Sequence, residues 1–126
     1  MRLTGFITVT LDYDKTAEYS GQDIDRCSDL CDLGEEFSDV LIWIPALSAS
    51  AEVSLMVQRD GKITTVPMPL HVGDGNAAGS YLLCSSSGAG TIALLFHVGA
   101  VQFFRIYCGA DQTANRTFYV RGVKNG

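Results

Sequence analysis

The sequence predicts an all-β protein, an antiparallel β-sandwich or jelly roll of about eight short strands. β-branched and aromatic residues dominate the chain, and apolar residues at helical spacing are hard to find. Several stretches alternate between apolar and polar residues, which is the pattern of a strand with one buried face. Clusters of glycine, asparagine and aspartate separate these stretches. We expect all of residues 1–126 to form one domain.

The first half of the chain predicts two strands separated by a long polar segment. Residues 6–11 alternate, with the apolar side chains from Ile7 onward on one face. Residues 12–39 are rich in acids and predict a long loop or arm, with one helical turn between 23 and 30. Residues 40–44 are continuously apolar and end at Pro45, which predicts a strand covered on both faces. Trp43 is therefore expected in the core, with an interface position as the alternative.

The middle of the chain predicts a hairpin. Residues 52–58 alternate, with Val53, Leu55 and Val57 facing inward. The letters "RDGK" at residues 59–62 contain the Asp-Gly pair of a type I′ turn, and residues 63–66 are expected to return as the second strand. Residues 71–79 predict a loop, and short strands are expected at 81–84 and 91–96.

The end of the chain predicts a second hairpin, formed by residues 102–108 and 117–123 across the loop "GADQTAN". One face of this hairpin is apolar. The other face combines aromatic and arginine side chains, which are enriched where proteins bury surface against a partner. The candidate interface residues are Phe103, Arg105, Tyr107, Tyr119, Arg121 and Trp43. The alternative is that another strand or the acidic segment of the same chain folds over this face.

Residues able to carry catalysis are scarce. His71 lies in a predicted loop and His97 ends an apolar strand, and both are interpreted as structural. The letters "CSSSGAG" lack the lysine of a phosphate-binding loop and the flanks of a nucleophile elbow. The acidic residues near 12–14 and 74–76 match no complete calcium-binding loop. We therefore predict a protein that is not an enzyme, with no catalytic residues, no cofactor and no metal.

The four cysteines, Cys27, Cys31, Cys84 and Cys108, are expected to be thiols. The first residues lack the apolar core of a signal peptide, so we expect synthesis in a reducing cytoplasm. Cys27 and Cys31 have a spacing found in zinc sites, but no second close pair follows them. A zinc site is therefore not expected.

The charge distribution argues against two classes of partner. The net charge is −5, with ten acids and three bases in residues 1–39 and four acids and six bases in residues 40–126. No basic stripe is present, so nucleic-acid binding is not expected. The apolar run 91–108 contains His97, Gln102 and Arg105, each costly in lipid, so no membrane span is expected.

The same charge distribution suggests association between copies. An acidic segment beside a mildly basic body allows complementary docking of neighbouring copies, although a solvated acidic loop is the more common origin of such a segment. Only 18% of the residues are charged, against about a quarter in typical globular domains. This deficit is expected if part of the exterior packs on another subunit. We therefore predict a homo-oligomer.

Two stretches, "CDLGEEFSDVLIWIPALSASAEVSLMVQRDGK" and "HVGAVQFFRIYCGADQTANRTFYVRGV", resemble small structural proteins encoded by tailed bacteriophages and prophages. The shared order is a "DLG" step, an apolar strand ending in Pro-Ala, an alternating strand with a "DG" turn, a late "FRI" strand and a closing strand. The resemblance covers residues 31–123. The long acidic segment before Asp32 departs from the short lead-in of that family.

The resemblance implies a β-sandwich component of a virion, assembled in the host cytoplasm. Its implied function is that of a capsid decoration or cement protein, with the major capsid protein and copies of itself as partners. The alternative is a carbohydrate-binding β-sandwich that uses Trp43 or exposed tyrosines as sugar platforms, or another accessory protein of the head, neck or tail.

Overall fold

A computed structural model describes residues 2–13, 17–19, 22–24, 27–48, 52–72, 80–81, 84–85 and 92–124. These residues form an all-β structure with no α-helix. The strands are β1 (Arg2–Leu3), β2 (Ile7–Leu11), β3 (Ala17–Tyr19), β4 (Gln22–Ile24), β5 (Cys31–Ile44), β6 (Glu52–Gln58), β7 (Met68–Pro69), β8 (His71–Val72), β9 (Ser80–Tyr81), β10 (Cys84–Ser85), β11 (Ile92–Cys108) and β12 (Arg116–Lys124).

One antiparallel sheet contains most of these strands. Its order is β1-β12-β5-β11-β6-β10, with β2 also pairing with β12 and β7 with β6. β3 pairs with β4, and β8 pairs with β9, as separate two-stranded sheets. The predicted all-β, antiparallel class is confirmed, whereas the sandwich or jelly-roll arrangement stays a prediction.

Two long strands hold the sheet together. β5 has 14 residues and β11 has 17. The register between them shifts twice, between His97 and Val101 and between Val101 and Phe103. Gly99 lies at this irregularity with φ of +83°, a backbone conformation that glycine adopts without steric cost. The predicted break between two strands is therefore a bulge within one strand, which lets β11 pair with β5 first and with β6 at its end.

The segment 27–30 connects strands that are not neighbours in the sheet. The Ser28 N–H donates to the Ile106 carbonyl of β11 at 2.8 Å, and the Asp29 N–H donates to the Thr10 carbonyl of β2 at 2.9 Å. β5 and β12 lie between β11 and β2 in the strand order. Because one short segment contacts both strands, the sheet must curl there around its apolar face.

The apolar core is formed by inward-facing side chains of β2, β5, β6, β11 and β12. The inward faces predicted for residues 6–11 and 52–58 are confirmed in Val9, Leu11, Val53 and Leu55, all buried. The predicted dry faces of the last two strands are confirmed too. Their buried members are Phe104, Ile106, Cys108, Phe118 and Val120.

The predicted second hairpin is wrong. β11 pairs with β5 and β6, and β12 pairs with β1, β2 and β5, so β5 lies between the two strands that were expected to pair. β12 instead has partners on both sides, β2 along residues 116–120 and β5 along residues 119–123. The two polar faces predicted to lie together therefore belong to different parts of the sheet.

The long acidic loop and the type I′ turn are also corrected. Residues 31–39 form the first part of β5, and Gln22–Ile24 is a strand where a helical turn was expected. Residues 59–67 form a wide loop, and β6 pairs next with Met68–Pro69. The Asp60 carboxylate organises this loop by accepting hydrogen bonds from the Lys62 N–H and the Thr65 hydroxyl, at 3.0 and 2.6 Å.

Candidate functional site: an exposed aromatic face

The sheet presents one contiguous apolar surface to solvent, which we call the outer face. It is the side of β2, β12, β5 and the first half of β11 opposite the core. Strand register arranges it in two rows. The first row is Thr8–Tyr119–Trp43–Ala93, and the second contains Arg121, Leu41 and Leu95, with Phe6 beside Arg121.

Large apolar side chains on this face are about half exposed. The exposed fractions are 48% for Phe6 and Trp43, and 50% for Leu95 and Tyr119. Their neighbours in sequence, such as Ile42 and Val120, point into the core and are fully buried. Strict alternation along each strand therefore forces these side chains outward. The expectation that Trp43 is a core residue is wrong, because residues 40–44 are covered on one face only.

Arg121, Phe6 and Trp43 are packed together on the outer face. The guanidinium carbon of Arg121 lies 4.1 Å from the centre of the Phe6 ring, within cation–π distance. The Phe6 and Trp43 ring centres are 6.4 Å apart, with 67° between the ring planes, in an edge-to-face arrangement. The Arg121 Nε atom is buried and has no hydrogen-bond partner within the part of the chain described.

The charged groups at one end of the outer face are paired. The next row of the sheet contains Val123, Asp39 and His97. Asp39 Oδ1 and His97 Nδ1 are 2.5 Å apart, and the nearby Lys124 Nζ and Glu35 Oε1 are 3.8 Å apart. The central rows therefore carry a single charged side chain, Arg121.

Arg105 does not lie on the outer face. It is only 6% exposed. Its Nε donates to Gln58 Oε1 and its Nη1 to the Ser28 carbonyl, both at 3.1 Å. Arg105 thus joins β11, β6 and the segment 27–30. For this residue the structure agrees with the alternative that the acidic segment covers the face.

Phe103 and Tyr107 also lie on the second half of β11, away from the outer face. Tyr107 is half-buried, pairs with Ser54 of β6 and forms an isolated bridge with Cys27. Phe103 is half-buried against the loop 59–67, where a Cβ added at Gly61 would lie 3.0 Å from its ring. Phe103 also lines a groove of about 430 Å³. The six predicted interface residues therefore separate into two groups, and Trp43, Tyr119 and Arg121 are the group that meets.

Three members of the outer face were missed by sequence reasoning. Phe6 and Leu95 are among its most exposed apolar residues, and Leu41 lies at its centre. The sequence does contain a signal that Phe6 faces outward, because Phe6 lies two residues before the outward-facing Thr8. Leu41 and Leu95 lie within continuous apolar runs, where alternation cannot tell the two faces apart.

Reactive groups are few in the described parts of the chain. No cluster of three or more histidine, cysteine or acidic residues there is arranged to hold a metal ion. None of the described residues forms a helix long and apolar enough to cross a membrane. Cys31 is a buried free thiol. Burial, with a smaller effect of the Asp32 charge, raises the pKa of the Cys31 thiol to about 12, so this thiol is not a nucleophile at neutral pH.

Comparisons with protein families, curated proteins and solved structures find no match.

The outer face itself has the composition of an interface core, since tryptophan, tyrosine and arginine are the residues most enriched at binding hot spots. Five large apolar side chains about half exposed, including Leu3 at the edge, leave on the order of 500 Å² of apolar surface in water. A patch of this size is comparable with the largest apolar patch on a typical monomer, and such patches are often functional.

Proposed function

We propose that this protein is a non-enzymatic structural component of a virion, a capsid decoration or cement protein that holds neighbouring subunits together through its outer face. The observation that carries the proposal is the meeting of Trp43, Tyr119, Phe6 and Leu95, each about half exposed, on one face of the sheet. The resemblance of residues 31–123 to phage structural proteins supports the same function. A cement protein needs adhesive area and a stiff scaffold, and needs no reactive group.

The energy available from the outer face suits this function. Burying about 500 Å² of apolar surface contributes roughly 12 kcal/mol before the costs of association. Those costs are about 4–15 kcal/mol for lost translational and rotational freedom. A single contact is thus of moderate strength, and many copies on one particle add their effects, because each bound copy favours the assembled state.

The acidic first third of the chain is proposed to contribute a second contact. Residues 1–39 carry ten acids and three bases, which complements a basic surface on the major capsid protein. This contact should weaken with salt, because surface charge pairs are screened over about 10 Å at 0.1 M. Contacts of the outer face should persist.

The proposal includes a β-sandwich for the whole chain. The segment 27–30, which hydrogen-bonds to both β11 and β2, supports a sheet that folds into two layers. A crystal structure would test this form directly. Two packed layers would agree with it, and a flat single layer would contradict it.

A binding assay on heads tests the function. DNA-filled heads purified from a mutant of the encoding phage that lacks this protein are mixed with the purified chain, sedimented and heated. The chain should sediment in proportion to coat subunits and raise the temperature at which heads release DNA. Trp43→Ser and Tyr119→Ser should reduce both effects. Ile63→Ser, which removes an exposed apolar side chain from the loop 59–67, should leave both unchanged.

Mass spectrometry of purified virions gives a further check. A cement protein should be present in a copy number comparable with that of the coat subunits. Absence from the particles, or an unchanged release temperature with the chain added, would contradict the proposal.

A carbohydrate-binding function is the second candidate, and the exposure of Trp43 beside Tyr119 favours it. Flat aromatic rings on a sheet offer platforms on which the apolar faces of sugars can stack. A glycan array separates the two functions. A sugar binder should retain defined glycans, lose them with Trp43→Ala and be present in few copies per virion.

A further inference from the structure

We infer that a second copy of this chain covers the outer face, so that two copies form a two-fold dimer with their outer faces packed together. The inference rests on the proposed function and names the neighbouring subunit that the outer face holds, which is a second copy of the chain. In such a dimer the acidic first third of each copy remains to contact the coat. Face-to-face packing of two sheets, about 10 Å apart and within about 30° of alignment, is a standard stable arrangement.

The area of the outer face matches the requirement of a dimer. The half-exposed apolar side chains leave on the order of 500 Å². The exposed Thr8 and Ala93 and the half-buried Leu41 and Arg121 extend the surface around them. A standard interface buries about 800 Å² on each partner, and the outer face with these additions approaches that area.

The chemistry of the outer face also favours a second copy. Interfaces between identical subunits are more apolar than other interfaces, and their cores are depleted of charge. Arg121 is the charged side chain of the two central rows, and the Phe6 ring already covers it. A partner that recognises the outer face through charge would need unpaired charged side chains there, and the described residues of the two rows do not provide them.

The two rows are complementary to each other. A two-fold axis that crosses the strands between the rows sets each row of one copy against the other row of the second copy. Tyr119 then faces Arg121, Trp43 faces Leu41, and Ala93 faces Leu95. Large side chains oppose smaller or flexible ones, and the two arginines meet tyrosines, with which they form favourable contacts. The same patch is thereby buried on both subunits, as a two-fold interface requires.

Composition provides independent support. Charged residues make up 18% of the chain, below the usual quarter, which is expected if part of the exterior is covered by protein. The net charge of −5 makes separate copies repel one another. Association through the outer face should therefore strengthen with salt, because the repulsion is screened while the apolar contact remains.

The natural fluorescence of the chain tests the dimer. Trp43 is the single tryptophan, so its emission reports on the outer face alone. Sedimentation equilibrium of the full chain should show a dimer with a micromolar Kd or tighter. Dilution should shift Trp43 emission to longer wavelength over the same concentration range in which the mass halves.

Substitutions locate the interface. Tyr119→Ser and Leu95→Ser should each weaken the dimer, by about 30-fold or more for Tyr119, and move the emission change to correspondingly higher concentrations. Ile63→Ser is the matched control, and its Kd should equal that of the natural chain. Circular dichroism and urea unfolding of each variant show whether the monomer is still folded.

The outcomes of these experiments distinguish a failure of the dimer from a failure of the proposed function. A chain that stays monomeric at several hundred micromolar, or a dimer whose Trp43 emission does not change on dissociation, overturns this inference. A monomer that still binds and stabilises heads leaves the proposed function standing. A dimer that dissociates as expected but binds no head leaves the inference standing and overturns the function. Association that weakens with salt would also overturn the dimer, because it would indicate charge pairing.

Discussion

Gly122 of β12 lies directly against the buried ring of Phe37, so adding one methyl group there tests the packing of the core. A Cβ at position 122 would lie 2.8 Å from Phe37 Cγ and Cδ2 and 3.1 Å from Cδ1. Favourable carbon contacts begin at about 3.5 Å. Phe37 is 4% exposed, and its clashing atoms are at the root of the ring, so the ring cannot simply rotate away. We expect Gly122→Ala to force a shift of β12 or β5.

The expected magnitude follows from two opposing effects. Overpacking a filled core costs about 1–3 kcal/mol. Replacing a glycine within a strand returns about 0.5–1 kcal/mol, because alanine loses less conformational freedom on folding. Gly122→Ala should therefore lower the free energy of unfolding by about 1–2 kcal/mol. For a domain of this size that corresponds to a decrease in Tm of roughly 4–8 °C.

Urea unfolding of four chains measures the effect. These are the natural chain, Gly122→Ala, Phe37→Leu and the double variant. Shortening Phe37 makes room for the methyl group, so in that background Gly122→Ala should cost less than about 0.5 kcal/mol, a coupling of about 1 kcal/mol. Gly5→Ala is the control, since no atom lies within 4 Å of its added Cβ. An equal cost of Gly122→Ala in both backgrounds would refute the proposed clash.

Three further predictions concern buried or titrating groups. Arg105→Leu should lower the free energy of unfolding, measured by urea unfolding, by about 2–4 kcal/mol, because it leaves buried acceptors without their charged donor. The control is Arg59→Leu at an exposed position, which should change the free energy of unfolding by less than about 0.5 kcal/mol. Hydrogen bonds from the Thr65 hydroxyl and a loop N–H lower the pKa of Asp60 below 3.8. The stability that these hydrogen bonds provide is therefore present above pH 3.8 and is lost as the pH falls through the lower pKa of the folded chain. Asp60→Asn should be less stable than the natural chain at neutral pH. In unfolding curves measured in acid, this difference in stability should vanish. The Cys31 thiol, whose pKa is raised to about 12, should resist a thiol reagent at neutral pH until urea unfolds the chain, and rapid labelling of the folded chain at this site would contradict its burial.

Local sequence patterns predicted the positions of the strands better than they predicted which strands pair with each other. Alternation placed Val9, Leu55 and Phe118 on buried faces, and all three are buried. This succeeds because a strand repeats every two residues whichever strand lies beside it. Pairing between distant strands has no such local signal. β12 therefore could not be assigned to β5, and the expected hairpin with residues 102–108 was the simplest topology available.

The candidate site was predicted in part. Tyr119 and Arg121 were assigned to an outward face, and the structure places them there. Arg105 has the same parity within its own strand but is buried, because β6 and the segment 27–30 reach it from two sides. Alternation indicates which face a side chain is on, and only packing decides whether that face is covered.

The amino-acid sequence by itself determined that this chain forms strands, which side chains each alternating strand turns to the core, and that few groups able to do chemistry are present. These properties depend on neighbouring residues, and a reader of the sequence can obtain them without coordinates. The tertiary structure decided that Trp43 and Leu95 stand beside Tyr119 in one exposed surface. They come from strands far apart in the chain, and long-range register alone brings them within contact.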